Sequence, residues 1–170
     1  LKNQKTISNA NPQQANRKWG NMEMVSWTSL DGIPLNGLLL KPENFDPNKK
    51  YPMIVNFYER NSDGLYNHRP PSVGRSTINY PMYSSKDYII FNPDIPYKNG
   101  YPGESAYNAV MPGVTKLIAD GYIDEENIAL QGHSWGGYQI AYMITRTNMF
   151  KCVESGAPVV NMFSAYGGIR

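Results

Sequence analysis

Ser134 lies in Gly132-His133-Ser134-Trp135-Gly136-Gly137-Tyr138, a G-x-S-x-G run with one more glycine behind it. A serine hydroxyl is a weak nucleophile at neutral pH. It becomes competent for acyl transfer when a base takes its proton and fixed donors receive the charge that develops on the attacked carbonyl. The flanking residues speak to the second need. Ile128-Ala129-Leu130 reads as a strand and Tyr138 to Ile144 as a helix, so the serine falls on a tight strand-to-helix turn, a nucleophile elbow. The first N–H groups of such a helix point at the site, and the backbone N–H of Trp135 is the expected oxyanion donor. A bare G-x-S-x-G also arises in ordinary glycine-rich turns; the order strand, turn, helix separates the two readings.

The base is harder to place. The chain holds two histidines, His68 and His133. His133 is next to Ser134, where the turn directs neighbouring side chains apart, and His68 precedes the serine in a long polar segment. In sites of this kind the order along the chain is Ser, then acid, then His. Both histidines therefore read as packing or surface residues, and the proton acceptor is expected outside this chain. The chain opens at Leu1 and its first methionine is Met22, which reads as a piece of a longer protein.

Composition limits the rest. A length of 170 residues leaves room for about one domain, and 41% hydrophobic residues suffice for a real core. The net charge is +2 and the basic residues are scattered, so no nucleic-acid surface is expected. No apolar run is long enough to span a bilayer. A single cysteine, Cys152, excludes an internal disulfide. Nothing in the chain asks for a cofactor or a metal.

The elements that must position the serine follow from pattern. Residues 1–20, rich in Asn, Gln and Lys, read as a linker or the frayed end of a preceding domain. Met24–Thr28 and Ile33–Leu40 flank Asp31-Gly32 and read as a hairpin. Residues 53–58 and 88–92 are compact apolar runs, as expected of strands covered on both faces. The segment between them, Glu59 to Tyr83, reads as a long loop. A helix is expected from about Ser105 to Asp120, interrupted at Pro112-Gly113. The strand 127–131, the elbow, a helix to about Thr147 and a strand 151–155 complete the order. Strands alternating with helices imply an α/β fold: a mostly parallel sheet with helices on both faces and an antiparallel hairpin at the start.

Several of these segments together resemble the catalytic domain of the prolyl oligopeptidase family of serine peptidases, nearest its dipeptidyl-peptidase and acylaminoacyl-peptidase branches. The resemblance runs from about Trp19 to Arg170. It rests on Ser29 to Gly37, Tyr51-Pro52-Met53-Ile54-Val55, Gly121-Tyr122-Ile123-Asp124, the elbow itself, Phe150-Lys151-Cys152 and Gly156-Ala157-Pro158-Val159. It implies an α/β-hydrolase fold, truncated after the strand that follows the nucleophile helix, in which residues 21–170 are the N-terminal portion of a peptidase domain. Residues 1–20 would be the exit from an absent β-propeller, and the triad acid and His would lie past Arg170. A peptide is the implied substrate. An esterase or lipase of the same fold, or a non-catalytic hydrolase-like scaffold, remain as alternatives.

The resemblance also suggests roles. Tyr58 falls where the family often has a tyrosine whose hydroxyl is the second oxyanion donor; otherwise it caps a strand end. The chain departs from the family's small residues there, having Glu59-Arg60-Asn61, which read as substrate contacts or a local ion pair. Val159, Met162 and Tyr166 fall on the wall of the pocket for the residue preceding the scissile bond; core packing is the other reading. The isolated chain is expected to be inactive, and to self-associate through the apolar edge that a truncated parallel sheet exposes.

Overall fold

The computed structural model describes residues 5–168 apart from Val73 and Arg75. Residues 1–4 of the expected linker, and Ile169 and Arg170 at the far end, lie outside the described residues. Six strands make one sheet: β1 (Asn21–Thr28), β2 (Pro34–Lys41), β3 (Tyr51–Asn56), β4 (Ile89–Pro93), β5 (Ile123–His133) and β6 (Cys152–Gly156). The helices are α1 (Tyr80–Ser84), α2 (Pro102–Ala119), α3 (Trp135–Met143) and α4 (Met162–Gly167). Strand order across the sheet is β1-β2-β4-β3-β5-β6. β1 and β2 pair antiparallel, as do β2 and β4, whereas β4, β3, β5 and β6 run parallel. This is the α/β arrangement expected from the alternation of elements, with the hairpin at one edge.

Side chains on alternate positions of the central strands enter different layers. Leu39, Met53, Val55, Ile89 and Phe91 are fully buried in one cluster that also takes Ala109, Val110 and Val114 of α2 and Ile140 and Met143 of α3. Leu40 and Ile90 point the other way and pack with Tyr80 of α1. A period of two within each strand thus puts helices on both faces. Among the described residues no helix is long and apolar enough to cross a membrane.

Two expectations need correction. The helix expected to break at Pro112 is continuous over Pro102–Ala119. Pro112 has no N–H to offer the Asn108 carbonyl. That carbonyl instead accepts from the backbone N–H of Leu30 at 2.9 Å. The next carbonyl, Ala109, accepts from the Trp27 indole at 2.8 Å. The hairpin therefore supplies what the proline removes. At Gly113 a Cβ would stand 2.9 Å from the Phe91 ring and 3.0 Å from Trp27, so the missing side chain lets α2 sit close on the sheet. The second correction is in the long loop, which carries a 3-10 turn at Ser62–Gly64 and then α1. Asn79 caps α1 by accepting from the Met82 N–H at 3.0 Å, with Pro81 in its first turn.

Candidate active site

The chain leaves β3 toward β4 on one side and leaves β5 toward β6 on the other. The crevice outside the carboxyl ends of β3 and β5 is thus a topological switch point, where open α/β sheets bind ligands. Tyr58 follows the end of β3, and Ser134 follows the end of β5.

Ser134 has φ 58° and ψ −111°, a conformation that L-residues rarely adopt. The turn is held from both sides. Its N–H donates to the Gly156 carbonyl at 2.7 Å, and its carbonyl accepts from the Tyr138 N–H at 3.1 Å. α3 begins at the next residue, so the Trp135 N–H is among the first four of the helix, which have no partner inside it. A turn this tight leaves no room for Cβ atoms around it. At Gly132 a Cβ would lie 2.8 Å from the Gly136 carbonyl carbon; at Gly136 it would lie 2.6 Å from the Phe57 carbonyl oxygen. The atoms met are backbone and cannot swing aside. Gly136→Ala is therefore expected to destabilise the protein by about 1–3 kcal/mol, read as a lower midpoint in chemical denaturation. An unchanged midpoint would show that the β3 end has space to yield.

Gly136 meets the backbone of Phe57 and Tyr58, so the β3 end lies directly against the start of α3. Tyr58 is 44% exposed and borders two cavities. Its main chain is fixed. The Tyr58 carbonyl accepts from the Tyr97 hydroxyl and from Gln139 Nε2 (3.3 Å), and Gln139 Nε2 also donates to the Tyr97 oxygen at 2.5 Å. The Glu59 carbonyl accepts from the Ile95 N–H at 3.0 Å. Burial pushes the Tyr97 pKa up, against the Gln139 hydrogen bond that lowers it, so Tyr97 keeps the proton it donates. Gln139 is fully buried on α3.

A second polar group braces the carboxyl ends of all four parallel strands. Asn56 donates from its amide to the Gln131 side-chain oxygen and accepts from the Tyr80 hydroxyl at 2.6 Å. Asn92 donates to the Asn56 carbonyl, and Gln131 Nε2 donates to Glu154 at 2.7 Å. Burial raises the Tyr80 pKa to about 12, so this hydroxyl too stays a donor. None of Tyr97, Gln139, Asn56, Gln131 or Asn92 was anticipated. A signal existed: Asn56, Asn92 and Gln131 are polar residues placed at or next to the end of otherwise apolar strands.

The remaining expected positions fall as follows. Val159, Met162 and Tyr166 line a cavity of about 690 Å³ with Tyr58, Trp135 and Tyr138, where the Trp135 and Tyr138 rings stack at 5.2 Å. Met162 and Tyr166 are 43% and 96% exposed in this chain. In Glu59-Arg60-Asn61, Arg60 pairs with Asp63 at 3.0 Å, while Glu59 and Asn61 line different cavities. His68 packs on Trp19, ring centroids 5.3 Å apart, away from the elbow. His133 ends β5 and borders the cavity on the other side of Tyr58. Among the described residues no side chain is hydrogen-bonded to the Ser134 hydroxyl.

Residues 97–168, from Tyr97 through the elbow to α4, match the prolyl oligopeptidase family. Over that segment the chain is similar to the family. Its relatives include the prolyl endopeptidase FAP of Mus musculus, 30% identical over 135 residues, which is 71% of this chain and 17% of that protein. Human dipeptidyl peptidase 8 is 28% identical over 150 residues, 81% of this chain and 16% of that protein. The uncharacterized peptidase YuxL of Bacillus subtilis is 24% identical over 85% of this chain and 23% of that protein. Among solved structures, a Bacteroides ovatus protein described as a dipeptidyl aminopeptidase IV is 28% identical with a TM-score of 0.67, over 89% of this chain and 23% of that one. An acylaminoacyl peptidase of Pyrococcus horikoshii shares the fold with a TM-score of 0.72 at 20% identity, over 96% of this chain and 27% of that one. The chain thus spans less than a quarter of the length of these curated relatives.

Proposed function

We propose that this chain belongs to the prolyl oligopeptidase family and is part of a serine peptidase in which Ser134 attacks a peptide carbonyl and forms an acyl-enzyme. The observation that carries this reading is the strained Ser134 backbone, held between β5 and α3 at the switch point of the sheet. Strain of this kind, of order 1–3 kcal/mol, persists where the surroundings over-determine it. In this reading the strain lifts the hydroxyl off the strand toward the crevice.

In this reading the Trp135 N–H and the Tyr58 hydroxyl receive the oxyanion. The Tyr58 main chain is clamped by Tyr97 and Gln139, so the backbone that carries the donor needs little reorganisation as charge develops. Val159, Met162 and Tyr166, with the stacked Trp135–Tyr138 pair, receive the residue preceding the scissile bond. The triad acid and histidine come from chain that follows residue 170, and residues 1–20 lead in from a preceding propeller. The outer edge of β6 fits a sheet that continues: it is unpaired among the described residues, and Val153, Val160 and Phe163 nearby are exposed. Residues 1–170 expressed alone would associate through that surface.

The test compares the full-length protein with residues 1–170. The full-length protein is expected to hydrolyse a peptide nitroanilide faster than the matching acyl ester background predicts, and residues 1–170 to release no nitroaniline. Ester turnover without amide turnover would favour an esterase. Turnover by residues 1–170 that depends on Ser134 would place the base within this chain.

A further inference from the structure

Tyr58 separates two unlike cavities. The one lined by Trp135 and Tyr138 is aromatic; the other, about 410 Å³, is bordered by Asn61, Arg69, Asn92 and His133 and has no carboxylate among its described lining residues. Both volumes fall in the range of small-ligand sites. Trp135 faces the first and His133 the second, and Ser134 stands between them in sequence. If the residue preceding the scissile bond occupies the aromatic cavity, the chain beyond that bond runs over the polar one.

Arg69 decides the chemistry there. It is half-buried, its guanidinium carbon is 5.6 Å from the centre of the Tyr80 ring, and Nη1 donates to the carbonyls of Gly64 (3.0 Å) and Asn67 (3.2 Å). Those bonds fix the plane of the fork and leave Nη2 and Nε as donors. Lys41, Arg60 and Lys116 each pair with a carboxylate, whereas among the described residues none pairs with Arg69. Two carboxylates that bond to residues next to or lining the cavity are already engaged. Asp94 accepts from the Asn61 N–H (2.6 Å), the Ser62 N–H (2.9 Å) and the Ser62 hydroxyl (2.5 Å), and Glu154 accepts from Gln131 (2.7 Å). A half-desolvated guanidinium with free donors, in a cavity without a counter-ion, is a site for an anion.

We propose that this polar cavity receives a carboxylate on the leaving-group side of the substrate, with Arg69 as the residue that selects it. The proposal rests on Ser134 being the nucleophile. The carboxylate has two sources: an acidic side chain just beyond the scissile bond, or the free C-terminus of a short leaving segment.

The experiment uses the full-length protein and three peptides identical up to the scissile bond, with leaving segments Gly-Gln-amide, Gly-Glu-amide and Gly-Gln with a free C-terminal carboxylate. At least one anionic segment is expected to be cleaved about tenfold faster in kcat/KM than Gly-Gln-amide. The faster of the two identifies the source. In Arg69→Met the ratio falls to about one; because it is read within each variant, a general loss of rate from a disturbed loop leaves it interpretable. Equal rates for all three peptides in the unaltered protein would overturn the proposal, as would a preference that survives in Arg69→Met. Failure of the underlying reading looks different. In that case a fluorophosphonate leaves Ser134 unmodified and none of the three peptides is cleaved, and the proposal falls with it.

Discussion

Ser134→Ala in the full-length protein is expected to lower kcat on a peptide nitroanilide by about ten-thousandfold or more while leaving the fold intact. Removing a nucleophile of this kind leaves only what oxyanion donors and binding provide, so losses of about ten-thousand to a millionfold follow. The fold should survive because nothing structural depends on the hydroxyl. The turn is held by main-chain bonds, the Ser134 N–H to the Gly156 carbonyl and the Tyr138 N–H to the Ser134 carbonyl. Alanine carries the same Cβ and meets the same positive φ. Circular dichroism and the thermal midpoint check the fold, and initial rates check the chemistry. A kcat within tenfold of the unaltered protein would mean that another group attacks the carbonyl.

The second large effect belongs to Tyr58→Phe, expected to lower kcat about a hundredfold or more with KM nearly unchanged. Loss of one oxyanion donor costs about that much, because the bond it makes strengthens only as negative charge appears. Phenylalanine keeps the ring between the two cavities. The main chain that carries that ring is held at the Tyr58 carbonyl by Tyr97 and Gln139, and these bonds do not involve the Tyr58 hydroxyl. The split between kcat and KM is the informative part. A rise in KM at constant kcat would make Tyr58 a wall of the binding site rather than a donor to the transition state.

Much of this was legible in the chain. The Asp31-Gly32 turn between two apolar runs, the two-sided burial of 53–57 and 88–92, and glycines spaced around Ser134 are local signals, and the structure uses each of them locally. Gly132 and Gly136 needed to be glycine for a reason the spacing suggests, the near contact of two main chains. Pro112 misled because its cost is removed from far away: the carbonyl it strands is taken by Leu30, about 80 residues earlier in sequence. No window of sequence around Pro112 contains that partner. The buried Asn56–Gln131–Asn92 group was missed for a related reason. Each residue alone is a polar end to a strand, and only the order β4-β3-β5 makes them neighbours. Arg69 likewise reads as one more loop cation until the loop folds it over Tyr80, where among the described residues no carboxylate pairs with it.

The most direct test of Ser134 as nucleophile is covalent. A fluorophosphonate reacts with a serine that is activated and faces an oxyanion site. Treated full-length protein, digested and mapped by mass spectrometry, is expected to carry a single stoichiometric adduct on Ser134, and Ser134→Ala none. An adduct on a different residue, or an unmodified Ser134 in protein that cleaves peptides, would contradict the account.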